Sequence, residues 1–243
     1  MTLKPLGLAA IGLAIAFNIP FSLLAARFDY PAILRQPAAE VLAAFAQGGP
    51  GLIVIWYGFA LSALALVPFA VALAFDRPDW LDRPALAIGA AITGALAGFA
   101  QAVGLVRWVF AVPVLAALHA DPSTTDVGRA AAEMGFTLLN QWGGVGIGEH
   151  LGQALTILWI GMVALSRAGV GGWLNRAESC FAALAILGIG IGLGEGPSLA
   201  LGRAVPAFGL ATILGYMAFT LWLVTIGIIL MRRDLARAAL VTA

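Results

Sequence analysis

The sequence predicts an all-α membrane protein with six transmembrane helices and two short amphipathic helices on the outer side. Apolar residues make up 62% of the 243 residues and charged residues only 10%, a composition typical of integral membrane proteins. Six apolar runs have the length of about 17–25 residues that a helix needs to cross a bilayer. Because only helices satisfy their own backbone hydrogen bonds in lipid, each run is predicted to be helical.

The six predicted spans leave little of the chain over, so we expect a single domain over residues 1–243. The spans cover residues 6–26, 52–75, 85–110, 147–166, 178–194 and 208–231. The first run follows Lys4 and resembles a signal peptide, but cleavage after Ala26 would place Leu24 where a small residue is required. We therefore expect this run to be retained as the first helix.

The two longest connections, residues 28–51 and 123–141, are predicted to form the amphipathic helices. In the first, Val41, Leu42 and Phe45 share a face at helical spacing. In the second, polar residues recur every three or four positions opposite an apolar face, and a Ser-Thr-Thr-Asp run at 123–126 offers helix N-caps. The helices either lie on the outer leaflet or cover a site, and the sequence leaves both alternatives open.

Basic residues that flank the spans predict the orientation. Eight would lie inside if the N-terminus is cytoplasmic: Lys4, Arg77, Arg83, Arg167, Arg176, Arg232, Arg233 and Arg237. Four would lie outside: Arg27, Arg35, Arg129 and Arg203. This excess favours both termini in the cytoplasm. The preference for arginine, alanine and glycine indicates a GC-rich bacterial genome, and hence a multi-pass protein of the bacterial inner membrane.

Strongly polar side chains within spans are costly and usually face the bundle interior. In the predicted orientation nearly all of them fall in the outer half, whereas the inner half holds only Ser62, Thr93 and Ser179. The outer set comprises Asn18, Gln101, Arg107, Glu149, His150, Gln153, Glu195 and Tyr216. We expect these residues to line one outward-facing cavity that binds a small molecule or a lipid-like ligand.

Glu149 and His150 are the candidate catalytic residues. An α-helix would place Glu149, Gln153 and Thr156 on one stripe. Glu149 could carry a proton, balance a cationic ligand or act as a general base. Alternatively, Glu149 forms a structural pair with Arg107 that orders the outer ends of two helices. His150 points away from Glu149 in a helix, so the two need not share a site.

Glycines recur every four residues in two spans, at Gly144, Gly148 and Gly152 and again at Gly188, Gly192 and Gly196. Such faces let neighbouring helices approach closely, and they also offer a surface for a homodimer. The second set is predicted to interrupt the fifth span near Glu195, a feature of transporter binding sites.

Several classes of function are excluded or unsupported. A formal net charge of +1 excludes the strong basic patch of a nucleic-acid-binding protein. One cysteine excludes an internal disulfide and a cysteine-cluster metal site, and two histidines are too few to indicate a metal or haem site. No metal and no cofactor are predicted, and membrane lipids are the expected surroundings.

Three segments resemble a family of uncharacterised bacterial multi-pass membrane proteins known as a domain of unknown function. They are Phe28-Asp29-Tyr30-Pro31 through Phe45, Leu105-Val106-Arg107-Trp108 through Pro113, and Gly146 to Gln153. The resemblance implies a six-helix bundle and no established activity. Three functions stay open: ligand binding or transport, an intramembrane enzyme that uses Glu149 as acid or base on a lipid-like substrate, and a non-catalytic assembly subunit. Whether the protein is an enzyme is undecided at this level.

Overall fold

The described chain is built from helices that short turns connect. The computed structural model describes residues 3–242, with the backbone but not the side chains at positions 78, 79 and 236–242, which include Arg237 of the predicted inside set. The α-helices are α1 (Lys4–Phe28), α2 (Ala38–Ala74), α3 (Pro84–Phe110), α4 (Val112–Ala120), α5 (Asp126–Leu139), α6 (Gly152–Arg167), α7 (Trp173–Gly192), α8 (Glu195–Ala200) and α9 (Pro206–Thr242). Short 3-10 helices occupy Ala32–Arg35 and Pro78–Asp82, and a π-helix occupies Asn140–Leu151.

Six helical segments are long and apolar enough to cross a membrane, which confirms the predicted number of spans. They are Lys4–Phe28, Ala38–Ala74, Pro84–Ala120, Asp126–Arg167, Trp173–Ala200 and Pro206–Leu235. Many large apolar side chains along them are exposed, including Val54 (69%) and Phe99 (56%). Because lipid rather than water would cover such side chains, the protein is a multi-pass integral membrane protein.

The second span is longer than its predicted range because the first amphipathic segment joins it. Helix α2 starts at Ala38 and breaks at Gly49, whose φ of 63° lies in the left-handed region that favours glycine. The predicted apolar face of this segment is buried in the core, with Val41 and Leu42 at 0% exposure and Phe45 at 3%.

The fourth span is also longer than predicted, since α5 continues through the π-helix into α6. The N-cap expected in the Ser-Thr-Thr-Asp run is confirmed: Thr125 accepts a hydrogen bond from the backbone N–H of Gly128 at 3.2 Å. That these two segments form short amphipathic helices on the outer side of the membrane stays a prediction.

The fifth span is interrupted as its glycines predict, because α7 ends at Gly192 and α8 begins at Glu195. Gly188 also makes the expected close helix contact. A methyl group at Gly188 would lie 2.6 Å from the Cα of Gly215 in α9. This glycine pair therefore sets the distance between α7 and α9 within one chain, while a homodimer through the glycine faces stays a prediction.

The chain forms two compact units. The first unit comprises Met1–Ile15, Ala65–Phe99 and His150–Ala243, and the second comprises Ala16–Leu64 and Ala100–Glu149. The core of the second unit is aromatic, and the indole rings of Trp56 and Trp108 stack in it with centroids 4.7 Å apart and both side chains fully buried. In the first unit, Trp159 and Trp222 pack edge to face at 5.2 Å. Such aromatic contacts fix the helices that carry the polar residues of each unit.

Candidate functional site

An ion pair joins two distant parts of the second unit. Nη2 of Arg35, at the end of the 3-10 helix Ala32–Arg35, lies 2.7 Å from Oε2 of Glu149 in the π-helix. The two side chains are 29% and 28% exposed. The carboxylate of Glu149, a candidate catalytic group, is thus held by a cation and stays accessible.

Arg107 lies in the interior of the same unit, and its guanidinium bonds to residues other than Glu149. It is 7% exposed, and its guanidinium carbon lies 5.2 Å from the ring centre of Trp108. Nη1 donates a hydrogen bond to the carbonyl of Gly104, and Nη2 donates one to Oδ1 of Asn140 at 3.0 Å. Nε is buried and has no hydrogen-bond partner among the described residues. The sequence left open whether Arg107 and Glu149 form a structural pair. In the structure Arg107 bonds to Gly104 and Asn140, whereas Glu149 pairs with Arg35.

The π-helix Asn140–Leu151 carries both Asn140 and Glu149. Its backbone differs from the α-helix that was expected around Glu149. The stripe predicted from Glu149 to Thr156 assumed α-helical geometry, which begins only at Gly152. Four glycines between residues 143 and 148 favour this irregular backbone. Two of them also allow close approach. A methyl group at Gly144 would lie 2.5 Å from Nη2 of Arg107, and one at Gly148 would lie 2.9 Å from the Cα of Gly104.

Tyr30 contributes a buried phenol close to the charges of Arg35, Arg107 and Glu149. Its ring packs edge to face against Trp56 at 5.3 Å and against Phe21 at 5.4 Å. Burial raises the pKa of its phenol, and the negative charge of Glu149 raises the pKa further, whereas the charges of Arg107 and Arg35 lower it. The phenol therefore remains protonated at physiological pH and can act as a hydrogen-bond donor.

We call Tyr30, Arg35, Arg107, Asn140 and Glu149 the polar cluster. Sequence reasoning identified Arg107 and Glu149 but assigned no role to the other three. Arg35 follows the apolar run Ala-Ile-Leu, and nothing in the sequence relates it to a residue 114 positions later. Asn140 had a signal, because it closes the polar face of the second amphipathic segment and is buried at 8% exposure.

The other predicted ligand-binding residues divide between the two units. Asn18 is exposed on α1 and Gln101 is partly buried on α3, both in the second unit. The first unit holds His150, Gln153, Glu195 and Tyr216. Gln153 is buried at 7% exposure, and Tyr216 packs against Phe219 at 6.1 Å. A methyl group at Gly196 would lie 3.2 Å from Nδ1 of His150, so the structure brings His150 close to the residue after Glu195. The single cavity predicted for all eight residues stays a prediction.

The first unit contains a buried charged network that sequence reasoning missed. Nη2 of Arg167 lies 2.9 Å from Oδ2 of Asp76, with both side chains 3% exposed, and Nη1 of Arg233 lies 3.7 Å from the same oxygen. Glu178, 1% exposed, accepts a hydrogen bond from Nε1 of Trp222 at 2.7 Å. Glu178 is the first residue of the predicted fifth span, so the expectation that this half of the spans holds only small polar residues is wrong.

A comparison with known protein families identifies the family of this chain. A family model described as a domain of unknown function, DUF4386, matches residues 6–227. The chain belongs to the DUF4386 family. This confirms the expected family of multi-pass membrane proteins, while a bacterial origin stays a prediction. None of the curated proteins and none of the solved structures matches the chain. Because the description of DUF4386 names no activity, the function has to be argued from the geometry.

Proposed function

We propose that this DUF4386 protein binds a small molecule or a lipid-like ligand at the polar cluster of its second unit. One observation carries the proposal: a partly exposed ion pair, Arg35–Glu149, belongs to the same cluster as the buried guanidinium of Arg107. Ionisable groups inside membrane proteins are costly, and they usually mark a ligand or ion site.

The exposure of the pair supports access to the cluster. Arg35 and Glu149 each keep more than a quarter of their side-chain surface open, so a ligand head group can reach them. Arg107, by contrast, is enclosed by Trp108, Asn140 and Gly144. The accessible pair would therefore meet the ligand first, and the ligand would reach the buried Nε of Arg107 once the ion pair has opened.

The position of the polar cluster near the ends of α1 and α3 supports the proposal that its ligand comes from a single leaflet. Arg107 lies near the end of α3, and Tyr30 and Arg35 follow the end of α1. With the N-terminus in the cytoplasm, as the basic flanking residues predict, the cluster faces the outer leaflet of the inner membrane. Lipid-like molecules in that leaflet would present their head groups at this depth.

Native mass spectrometry of the detergent-solubilised protein tests the proposal. The protein is titrated with two synthetic phospholipids, one zwitterionic and one anionic, and compared with Arg35→Gln and Arg107→Gln. We expect binding of at least one lipid and a loss of at least about tenfold in affinity in both variants, because each removes a charge-assisted hydrogen bond. Arg129→Gln is the matched control, since Arg129 makes surface contacts outside the polar cluster, to the carbonyl of Asp121 at 3.2 Å and to Asp126 at 3.8 Å.

Two results would contradict ligand binding. If neither lipid binds, or if Arg129→Gln weakens binding as much as Arg107→Gln does, the cluster is not the binding site. If Arg35→Gln and Arg107→Gln lower the melting temperature strongly while lipid binding is unaffected, the cluster instead locks helices together, as in an assembly subunit.

A further inference from the structure

The polar cluster carries an excess of positive charge. The charged groups that act on Arg107 are Glu149 and Arg35, and the phenol of Tyr30 stays neutral. The polar cluster thus holds two guanidinium groups and one carboxylate, and the carboxylate is bonded to Arg35. In an apolar environment an uncompensated charge is expensive, so a second negative charge would stabilise the cluster.

Arg107 also has an unused hydrogen-bond donor. Its Nη1 and Nη2 atoms donate to Gly104 and Asn140, whereas its buried Nε has no acceptor in the part of the chain that the structure describes. Buried N–H groups nearly always have a partner, and an exception requires an explanation. An oxygen atom of an acidic ligand would supply the missing acceptor and, at the same time, the missing charge.

We propose that the polar cluster binds an acidic group, a carboxylate or a phosphate, and that Glu149 pairs with Arg35 while this ligand is absent. This inference rests on the proposed function and names the chemical class of the ligand. The oxyanion of the ligand accepts a hydrogen bond from Nε of Arg107. It also replaces the carboxylate of Glu149 as the partner of the Arg35 guanidinium. Guanidinium groups suit both acids because their fixed N–H donors match the spacing of carboxylate and phosphate oxygens.

The packing around Arg107 supports this assignment, because it fixes the guanidinium before the ligand binds. Asn140 is itself buried and receives the Nη2 hydrogen bond, and the absence of a side chain at Gly144 leaves room for both groups. A donor held in place loses little conformational freedom on binding, which favours affinity and selectivity for one oxyanion geometry.

The decisive prediction concerns the sign of the effect of Glu149→Gln. In this scheme the Glu149 carboxylate competes with the ligand for Arg35. Glu149→Gln should therefore bind an anionic lipid at least about tenfold more tightly than the wild type, whereas Arg35→Gln and Arg107→Gln should bind it at least about tenfold more weakly. Because Glu149 is partly exposed, its replacement by the isosteric amide is compatible with folding.

The experiment uses the full chain in detergent with vesicle-derived phosphatidylglycerol and phosphatidylcholine, measured by native mass spectrometry. Wild type, Glu149→Gln, Arg35→Gln, Arg107→Gln and Arg107→Lys are compared, with Arg129→Gln as control. We expect phosphatidylglycerol to bind at least about tenfold more tightly than phosphatidylcholine. Arg107→Lys keeps the charge but lacks the Nε donor, so it should also weaken binding if the missing acceptor is the reason. Inorganic phosphate and acetate are then added as competitors. Displacement of the lipid assigns the site to free anions as well, and failure to displace it assigns the site to a lipid head group.

The two proposals fail in different ways. If the two lipids bind equally well and Arg107→Gln weakens the binding of both, the ligand need not be acidic. That result overturns this inference and leaves the proposed function intact. Weaker or unchanged binding of phosphatidylglycerol in Glu149→Gln also overturns the competition by Glu149. No binding of either lipid overturns both.

Discussion

The carboxylate of Glu149 lies 2.7 Å from Nη2 of Arg35, although 114 residues separate the two in sequence. The contact ties the segment after α1 to the π-helix within the second unit. Both side chains stay partly exposed, so the pair can exchange partners more readily than a buried one. This is the property that a ligand-responsive ion pair requires.

We predict that the Arg35–Glu149 pair contributes little to stability. A double-mutant cycle with Arg35→Gln and Glu149→Gln should give a coupling free energy of about 0.2–1 kcal/mol, because the pair is partly solvated. Thermal unfolding of the four proteins in detergent measures it. A coupling above about 3 kcal/mol, the size expected for a buried structural pair, would contradict a displaceable role.

Gly188 is predicted to tolerate no side chain. In Gly188→Ala the methyl group would lie 2.6 Å from the Cα of Gly215 and 2.9 Å from the carbonyl oxygen of Ala211, and a backbone cannot yield as a side chain can. We expect a loss of about 1–3 kcal/mol in the free energy of unfolding. Gly209→Ala in α9 is the matched control, since no described atom outside its own stretch of helix lies within 4 Å of the added methyl group. Equal melting temperatures for the two variants would show that α7 and α9 pack less closely than described.

Asp76 is predicted to be essential for the buried network of the first unit. Asp76→Asn leaves the guanidinium of Arg167, with its side chain 3% exposed, without its charge partner. Removing one partner of a buried ion pair costs about 3–5 kcal/mol, so the melting temperature should fall sharply. Asp126→Asn, at a fully exposed position, serves as control and should unfold like the wild type. A similar melting temperature for Asp76→Asn would mean that Arg167 finds another acceptor.

Tyr30 is predicted to make stability depend on alkaline pH. Burial raises the pKa of its phenol in the folded state, whereas an unfolded tyrosine ionises near pH ~10. Stability linked to Tyr30 is therefore complete below that pH and is lost as the pH rises above it. At about pH 11 the folded wild type and Tyr30→Phe should show the same phenolate absorbance, since Tyr30 contributes none. A larger phenolate signal in the folded wild type would contradict a protonated Tyr30.

The fold follows from the sequence to a large extent because apolar length is a strong signal. Five of the six predicted spans lie within an observed helical segment, and the second extends one residue beyond Ala74. The glycines at 188–196 predicted both the helix contact and the break before Glu195. The π-helix was not predicted, because a hydrophobic pattern of α-helical period does not reveal a change in backbone hydrogen bonding.

The candidate site was predictable only in part, for a related reason. The cost of burying a charge points to Arg107 and Glu149 from the sequence alone. Their partners do not follow from it, since Arg35 and Asn140 reach them through tertiary contacts over 114 and 33 residues. Glu178 was overlooked because it stands at the edge of an apolar run, where a charge is expected to reach water, whereas it is 1% exposed.

Cryo-electron microscopy of the protein extracted from its native membrane tests the central claim most directly. We predict non-protein density at hydrogen-bond distance, about 3 Å, from Nε of Arg107, with Glu149 displaced from Arg35. A well-resolved map in which Nε of Arg107 meets an acceptor of the protein itself, with Arg35 on Glu149 and no density between them, would contradict a ligand site at the polar cluster.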